Sequence, residues 1–168
     1  MINQKKFNIL ESECSKCLKC SLSSTRNNVV FGRGNPNSNL FVIGEGPGQQ
    51  EDEQGLAFVG RAGKMLDNAF LSVGIDTNED CYISNIVKCR PPNNRKPLSN
   101  EIKECMPWLN KQIESIKPKV IVLAGSTAVQ SYLNIDEPIS KLRGKWIVKD
   151  GIKSVSYTHL TLPTTTIV

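Results

Sequence analysis

A chain of 168 residues, 39% apolar and 22% charged, is long enough to bury one sizeable core and has the makeup of an ordinary globular domain. No stretch approaches the roughly 20 apolar residues of a membrane-spanning helix, and Met1–Leu10 carries lysines without the apolar run of a secretory signal, so a cytoplasmic protein with no membrane partner is expected. The net charge of +5 and the isoelectric point of 8.9 permit a polyanionic partner without demanding one.

In chain order the first signal is chemical. Cys14, Cys17 and Cys20 form a C-x2-C-x2-C run, Cys89 and Cys105 lie far downstream, and Cys81 stands alone in an apolar segment. In a reducing cytosol such clustering points to metal or redox chemistry rather than disulfides. Cys14 and Cys17 with Cys89 and Cys105 supply four thiolates, enough for zinc or for an iron–sulfur cluster. Zinc is the commoner outcome on spacing alone, although the downstream pair is far wider than a zinc knuckle.

The remaining elements alternate strand and helix. Leu40–Gly44 is a short apolar run closed by glycine, as in a buried strand. Gly63–Val73 places Met65, Leu66, Ala69, Phe70 and Val73 at helical spacing, with Gly74 available to end the helix. Cys81–Val87 reads as a second strand and Pro91–Asn94 as loop. Ser99 is placed to cap a helix running to Ile116, with Ile102, Met106, Leu109 and Ile113 as its apolar stripe and no capping-box glutamate after Ser99. Lys119–Ala124 is β-branched and apolar throughout, as a strand covered on both faces should be. Gly125 and Ser126 open a short helix to Leu133, and Trp146–Val148 and Ser154–Val155 flank a turn at Asp150 and Gly151. This is an α/β pattern. It predicts one domain over residues 1–157, a short parallel sheet sandwiched by helices in three α/β/α layers, and a ligand at the carboxyl ends of the strands.

Three candidate sites follow from that placement. The loop GEGPG at Gly44–Gly48 lets backbone approach a ligand closely, and is equally a tight turn; its spacing is that of neither a dinucleotide fingerprint nor a Walker loop. Phe58, before the glycine-rich helix start, is either core or a stacking platform for a base. Asn85, at a strand's carboxyl end, either caps a turn or presents the donor–acceptor pair that reads a pyrimidine edge.

Together these segments resemble the family 4 (iron–sulfur) uracil-DNA glycosylases over about residues 10–152. The matching text is VFGRGNP at Val30–Pro36, GEGPGQQED at Gly44–Asp52, AFVGRAG at Ala57–Gly63, YISNIVKCRPPNNRKP at Tyr82–Pro97, ECMP at Glu104–Pro107 and LRG at Leu142–Gly144. The resemblance implies an α/β/α sandwich that flips uracil out of DNA and hydrolyses its N-glycosidic bond, acting as a monomer. It implies a 4Fe–4S cluster on Cys14, Cys17, Cys89 and Cys105, with Cys20 not a ligand. Glu45, Gly46 and Gly48 would line the uracil pocket, with Gly46 where some related glycosylases carry aspartate. Glu51 would crowd the 5-position of the base, Phe58 would stack on it and Asn85 would pair with its edge. His159 would stabilise charge on the departing uracil, so that the catalytic set is Glu45, Asn85 and His159. Arg90, Arg95 and Lys96 would hold DNA phosphate. The alternatives are a catalytically silent DNA-binding relative and a metal or redox protein without a DNA role.

The tail departs from that pattern. Thr158–Val168 has five threonines in eleven residues, and Leu160 follows His159 where the family carries proline. The expectation is a foreign or truncated ending and weak activity of the chain as written.

Overall fold

The computed structural model describes residues 1–158. A six-stranded sheet in the order β1-β3-β2-β4-β6-β5 forms the centre, from β1 (Arg33–Gly34), β2 (Leu40–Gly44), β3 (Cys81–Asn85), β4 (Val120–Ala124), β5 (Trp146–Lys149) and β6 (Ile152–Tyr157). The four inner strands run parallel. The two edges, β1 against β3 and β5 against β6, are antiparallel, so the sheet is mixed rather than purely parallel as expected. The second departure has a local cause: β5 and β6 are joined by the tight turn at Asp150 and Gly151, which permits only antiparallel pairing.

Side-chain alternation splits β2 between two cores. Phe41 and Ile43 face a large cluster with Phe7, Leu10, Trp108, Leu109 and Tyr132, contributed by α1 (Gln4–Ser15), α4 (Ser99–Ile116) and α5 (Ser126–Leu133). Val42 faces a smaller cluster with Ile83, Cys81 and Leu66, the last from α3 (Arg61–Leu71). The three-layer sandwich read from the sequence is therefore present. The chain leaves β2 for β3 on one side and returns to β4 on the other. The loop after β2 thus lies at the topological switch point, where open α/β sheets place their ligands.

Helix α4 differs from its sequence reading in two ways. Its N-cap is Leu98, one residue earlier than Ser99, and Glu101 is the third helical residue whose carboxylate accepts from the Leu98 amide at 2.7 Å. The reciprocal glutamate of a capping box is present once the cap is shifted. The buried face carries Glu101, Cys105, Trp108, Leu109, Gln112 and Ile116, while Ile102, Met106 and Ile113 are only partly buried. Polar residues hold this face because each has a partner: Gln112 donates to the Phe31 carbonyl at 2.8 Å. No helix among the described residues is long and apolar enough to cross a membrane.

Candidate active site and thiol cluster

Gly44 and Asn85 are cross-strand partners at the carboxyl ends of β2 and β3. Beyond them the Ile86 amide donates to the Gly44 carbonyl at 2.8 Å and the Val87 amide to the Glu45 carbonyl at 3.1 Å, which pins the glycine loop to the strand end. A cavity of ≈ 290 Å³ opens here, and Glu45, Gly46, Gly48, Glu51, Phe58 and Asn85 all line it. Six residues from three separate sequence motifs thus meet at one place.

Asn85 is the distinctive member. It is 1% exposed, and among the described residues neither its amide nitrogen nor its amide oxygen has a hydrogen-bond partner. An unsatisfied buried polar group costs about 1–3 kcal/mol, so a donor–acceptor pair left open beside a cavity is a binding surface waiting for its complement. A turn cap would use at least one of these atoms, and neither is used among the described residues. Phe58 packs against the same spot: a Cβ on Gly44 would run into the Phe58 ring and lie 2.6 Å from the Asn85 side-chain oxygen. A Cβ on Gly46 would lie 2.8 Å from Val87 Cγ2, so a side chain there would have to displace the loop.

The two acidic residues of the loop are held differently. Glu45 accepts a short hydrogen bond from the Thr127 hydroxyl at the start of α5, a contact that the sequence did not signal because a threonine in a first helical turn has many uses. Glu51 accepts from three backbone amides, Gly48 at 3.1 Å, Val59 at 3.0 Å and Gly60 at 2.7 Å. Its carboxylate therefore staples the loop after β2 to the start of α3, while still lining the cavity.

The basic loop also divides. Arg95 makes a two-pronged bond to Glu101, 2.9 Å and 2.7 Å, and Glu101 is 0% exposed. Its guanidinium is engaged in burying a carboxylate. Arg90 donates to the Asn94 side chain at 2.7 Å, and Lys96 is exposed. The Arg95 donors hold the Glu101 carboxyl below the usual carboxylate range. A depressed folded-state value gives stability that is present above the unfolded value of about 4.3 and is lost as pH falls through the folded one. Thermal melts should therefore fall on acidification below about pH 4, and Glu101→Gln should lower the melting temperature at neutral pH while flattening that acid slope.

The cysteines converge on the opposite side of β3. Cys14, Cys17, Cys20, Cys89 and Cys105 line one narrow pocket between α1, the loop after β3, and α4. Cys81 is elsewhere, in the smaller core. Three N–H donors point at sulfur: Lys88 amide to Cys105 at 3.2 Å, Trp108 indole to Cys17 at 3.3 Å and Arg26 to Cys89 at 3.4 Å. Burial pushes the Cys14 thiol up to about 12 and the Cys89 thiol up to about 11. The Lys88 ammonium beside Cys14 and the Arg26 guanidinium beside Cys89 act in the opposite direction, favouring the thiolates. Among the described residues no group of three or more is arranged to hold a metal ion. Five thiols around one pocket, four of them the predicted set Cys14, Cys17, Cys89 and Cys105, supply enough sulfur donors for zinc or for an iron–sulfur cluster. Lys88, 1% exposed, donates its ammonium to Ser84 Oγ at 2.6 Å and to the Asn85 carbonyl at 2.7 Å, and so spans from the thiols to the strand that carries Asn85. His159 lies outside the described residues, as does the tail from 159 onward.

The sequence that builds this sheet, open amide and thiol pocket matches a known family. Residues 31–166 match the model of the uracil DNA glycosylase superfamily. The chain is 45% identical over 148 residues to a type-4 uracil-DNA glycosylase of Thermotoga maritima, covering 88% of this chain and 77% of that protein. It is 43% identical over 137 residues to one of Archaeoglobus fulgidus, covering 79% and 68%. To one of Saccharolobus solfataricus it is 44% identical over 145 residues, covering 83% and 67%. The chain belongs to the uracil-DNA glycosylase superfamily, in its type-4 branch.

Proposed function

We propose that this protein is a DNA-repair glycosylase that takes uracil out of the DNA stack and hydrolyses its bond to the sugar, leaving an abasic site. The observation that carries the reading is the buried, unpartnered Asn85 amide facing a cavity lined by Glu45, Gly46, Gly48, Glu51 and Phe58. Uracil offers a carbonyl acceptor and an imide donor on one edge, and a single amide satisfies both. Phe58 supplies the stacking surface that offsets part of the cost of flipping the base.

In the reaction the N1–C1′ bond breaks with its electron pair departing on uracil. Water adds its oxygen to the sugar C1′ and gives up a proton, and the departed uracil anion takes up a proton, so the hydrolysis balances. Stabilising the departing anion with fixed donors is the main task, because such preorganised electrostatics is usually the largest catalytic contribution. The Asn85 N–H serves that end of the base. Glu45 is anchored by Thr127 and lines the cavity wall; in this reading it faces the sugar and the attacking water. His159 is assigned the same anion-stabilising task by the resemblance alone.

Cys14, Cys17, Cys89 and Cys105 would hold a 4Fe–4S cluster, which when bound supplies a cross-link rather than a step of the chemistry. It would fasten α1 and α4 to the loop that follows the base-reading strand. Protein purified without oxygen should be brown and carry about four irons per chain.

Arg90 and Lys96 are the phosphate contacts retained in this reading, since Arg95 is engaged by Glu101. DNA affinity should fall steeply with salt, because each phosphate contact contributes a slope of about −0.9 in log affinity against log salt on a duplex. Arg90→Ala and Lys96→Ala should each flatten that slope by about 1 with the fold intact. A slope indifferent to both would place the phosphate contacts elsewhere. The reading as a whole is tested by release of uracil from a labelled uracil-containing oligonucleotide.

A further inference from the structure

The motif VFGRGNP has no part in the chemistry above, yet its arginine is fully engaged beside the pocket. Arg33 donates Nε to the Ala57 carbonyl at 2.7 Å and Nη2 to the Phe58 carbonyl at 3.2 Å. It also reaches Asp67 at 2.6 Å, Thr77 at 3.2 Å and Asn78 at 3.0 Å. These five bonds equal the full donor capacity of a guanidinium. Thr77 in turn donates to the same Asp67 oxygen at 2.6 Å, so the acceptor end of the clamp is itself fixed.

The backbone being clamped is strained. Phe58 has φ 53°, in the left-handed region that a bulky side chain avoids. Such conformations persist only where the surroundings over-determine them. Two features do so here. Gly63 lies so close to the Phe58 carbonyl that a Cβ there would collide with it, which lets the first turn of α3 back against the strained residue. Arg33 holds the same carbonyl and the one before it from the other side. The ring that this backbone presents lies against Gly44 and lines the cavity with Asn85.

We propose that Arg33 is a positioning residue for the base platform: its guanidinium locks Phe58 in the left-handed conformation that lays the ring beside Asn85. The proposal rests on the reading of the cavity as a uracil site. It explains why β1 is only Arg33 and Gly34: the two-residue edge strand, paired to Ile83 and Tyr82 of β3, fixes the arginine relative to the strand that reads the base. Lysine is no substitute, because a single ammonium on a flexible stem cannot serve two carbonyls and a carboxylate in one plane.

The test is a double-mutant cycle on uracil release from an oligonucleotide, with iron content and melting temperature recorded for every variant. Phe58→Ala should lower kcat/KM about 10- to 100-fold, the scale of a lost base-stacking contact. Arg33→Lys should lower it by a similar factor, since a displacement of about 1 Å can cost on the order of 100-fold. Combined, they should lose no more than Phe58→Ala alone, because a residue acting only through Phe58 has nothing left to position. Inhibition by free uracil should weaken in Arg33→Lys, while binding of uracil-free duplex DNA stays unchanged. If Arg33→Lys does not fold, Thr77→Val and Asp67→Asn loosen the guanidinium without touching it and enter the same cycle. Losses that multiply in the double variant, or unchanged inhibition by uracil, overturn the role of Arg33 and leave the pocket reading standing. A fully active Phe58→Ala, or a parent protein that free uracil neither binds nor inhibits, would instead remove the pocket reading itself.

Discussion

Asn85→Ala is expected to abolish most uracil release, by about 10³- to 10⁴-fold in kcat/KM, while leaving the melting temperature unchanged or slightly raised. The two halves of that expectation have one cause. In the folded chain the Asn85 amide is buried and has no partner among the described residues, so its removal relieves an unsatisfied donor and acceptor instead of breaking a bond. When uracil occupies the cavity the same amide becomes fully used, and sites built to hydrogen-bond a substrate group discriminate by roughly 10⁴-fold or more against its absence. Cytosine carries a donor where uracil carries an acceptor, so under the proposed reading the same residue would also reject the normal base. A parallel fall in melting temperature and activity would show that Asn85 holds the strand end together and does not read the base.

The second large effect concerns the thiol pocket. Cys105→Ala is expected to lose iron and to unfold well below the parent, by at least about 3 kcal/mol, the scale on which losing a covalent cross-link acts in a small domain. Cys14 ends α1, Cys89 lies in the loop after β3, and Cys105 is in the middle of α4. Burial raises the pKa values of these thiols by penalising the thiolate, so a bound cluster would supply the compensating charge and its loss would weaken the fold. Cys81→Ala, by contrast, should leave iron content untouched, because Cys81 lies in the other core and donates to the Thr77 carbonyl at 3.3 Å. Stoichiometric zinc in protein prepared without oxygen, or full iron in Cys105→Ala, would contradict the cluster assignment.

The strands and principal helices were legible because they obey simple periods. Leu40–Gly44 and Val120–Ala124 are covered on both faces and read as unbroken apolar runs. The cavity residues were legible through the family resemblance and through their position after strands, which the switch-point rule makes meaningful. What escaped notice depended on partners distant in sequence. Arg95 looked like a free cation in a basic loop, and only the fold brings Glu101 under it. The α4 stripe was misread because Glu101 and Gln112 are buried with polar partners, which no hydrophobic period can signal. β1 is too short to have a period at all, and Arg33 is 24 residues or more from every group that it touches. Helix α1 went unread because its buried residues, Phe7, Leu10 and Cys14, are outnumbered by polar ones around the turn.

The most direct measurement of the central claim is the yield of abasic sites when iron-loaded protein is incubated with three otherwise identical labelled oligonucleotides bearing uracil, thymine or cytosine at one position. The account expects alkali-labile sites at uracil alone, lost in Asn85→Ala. Brown, cooperatively folded protein that leaves the uracil oligonucleotide intact even at stoichiometric protein and long incubation, or that attacks thymine and uracil at equal rates, would contradict it.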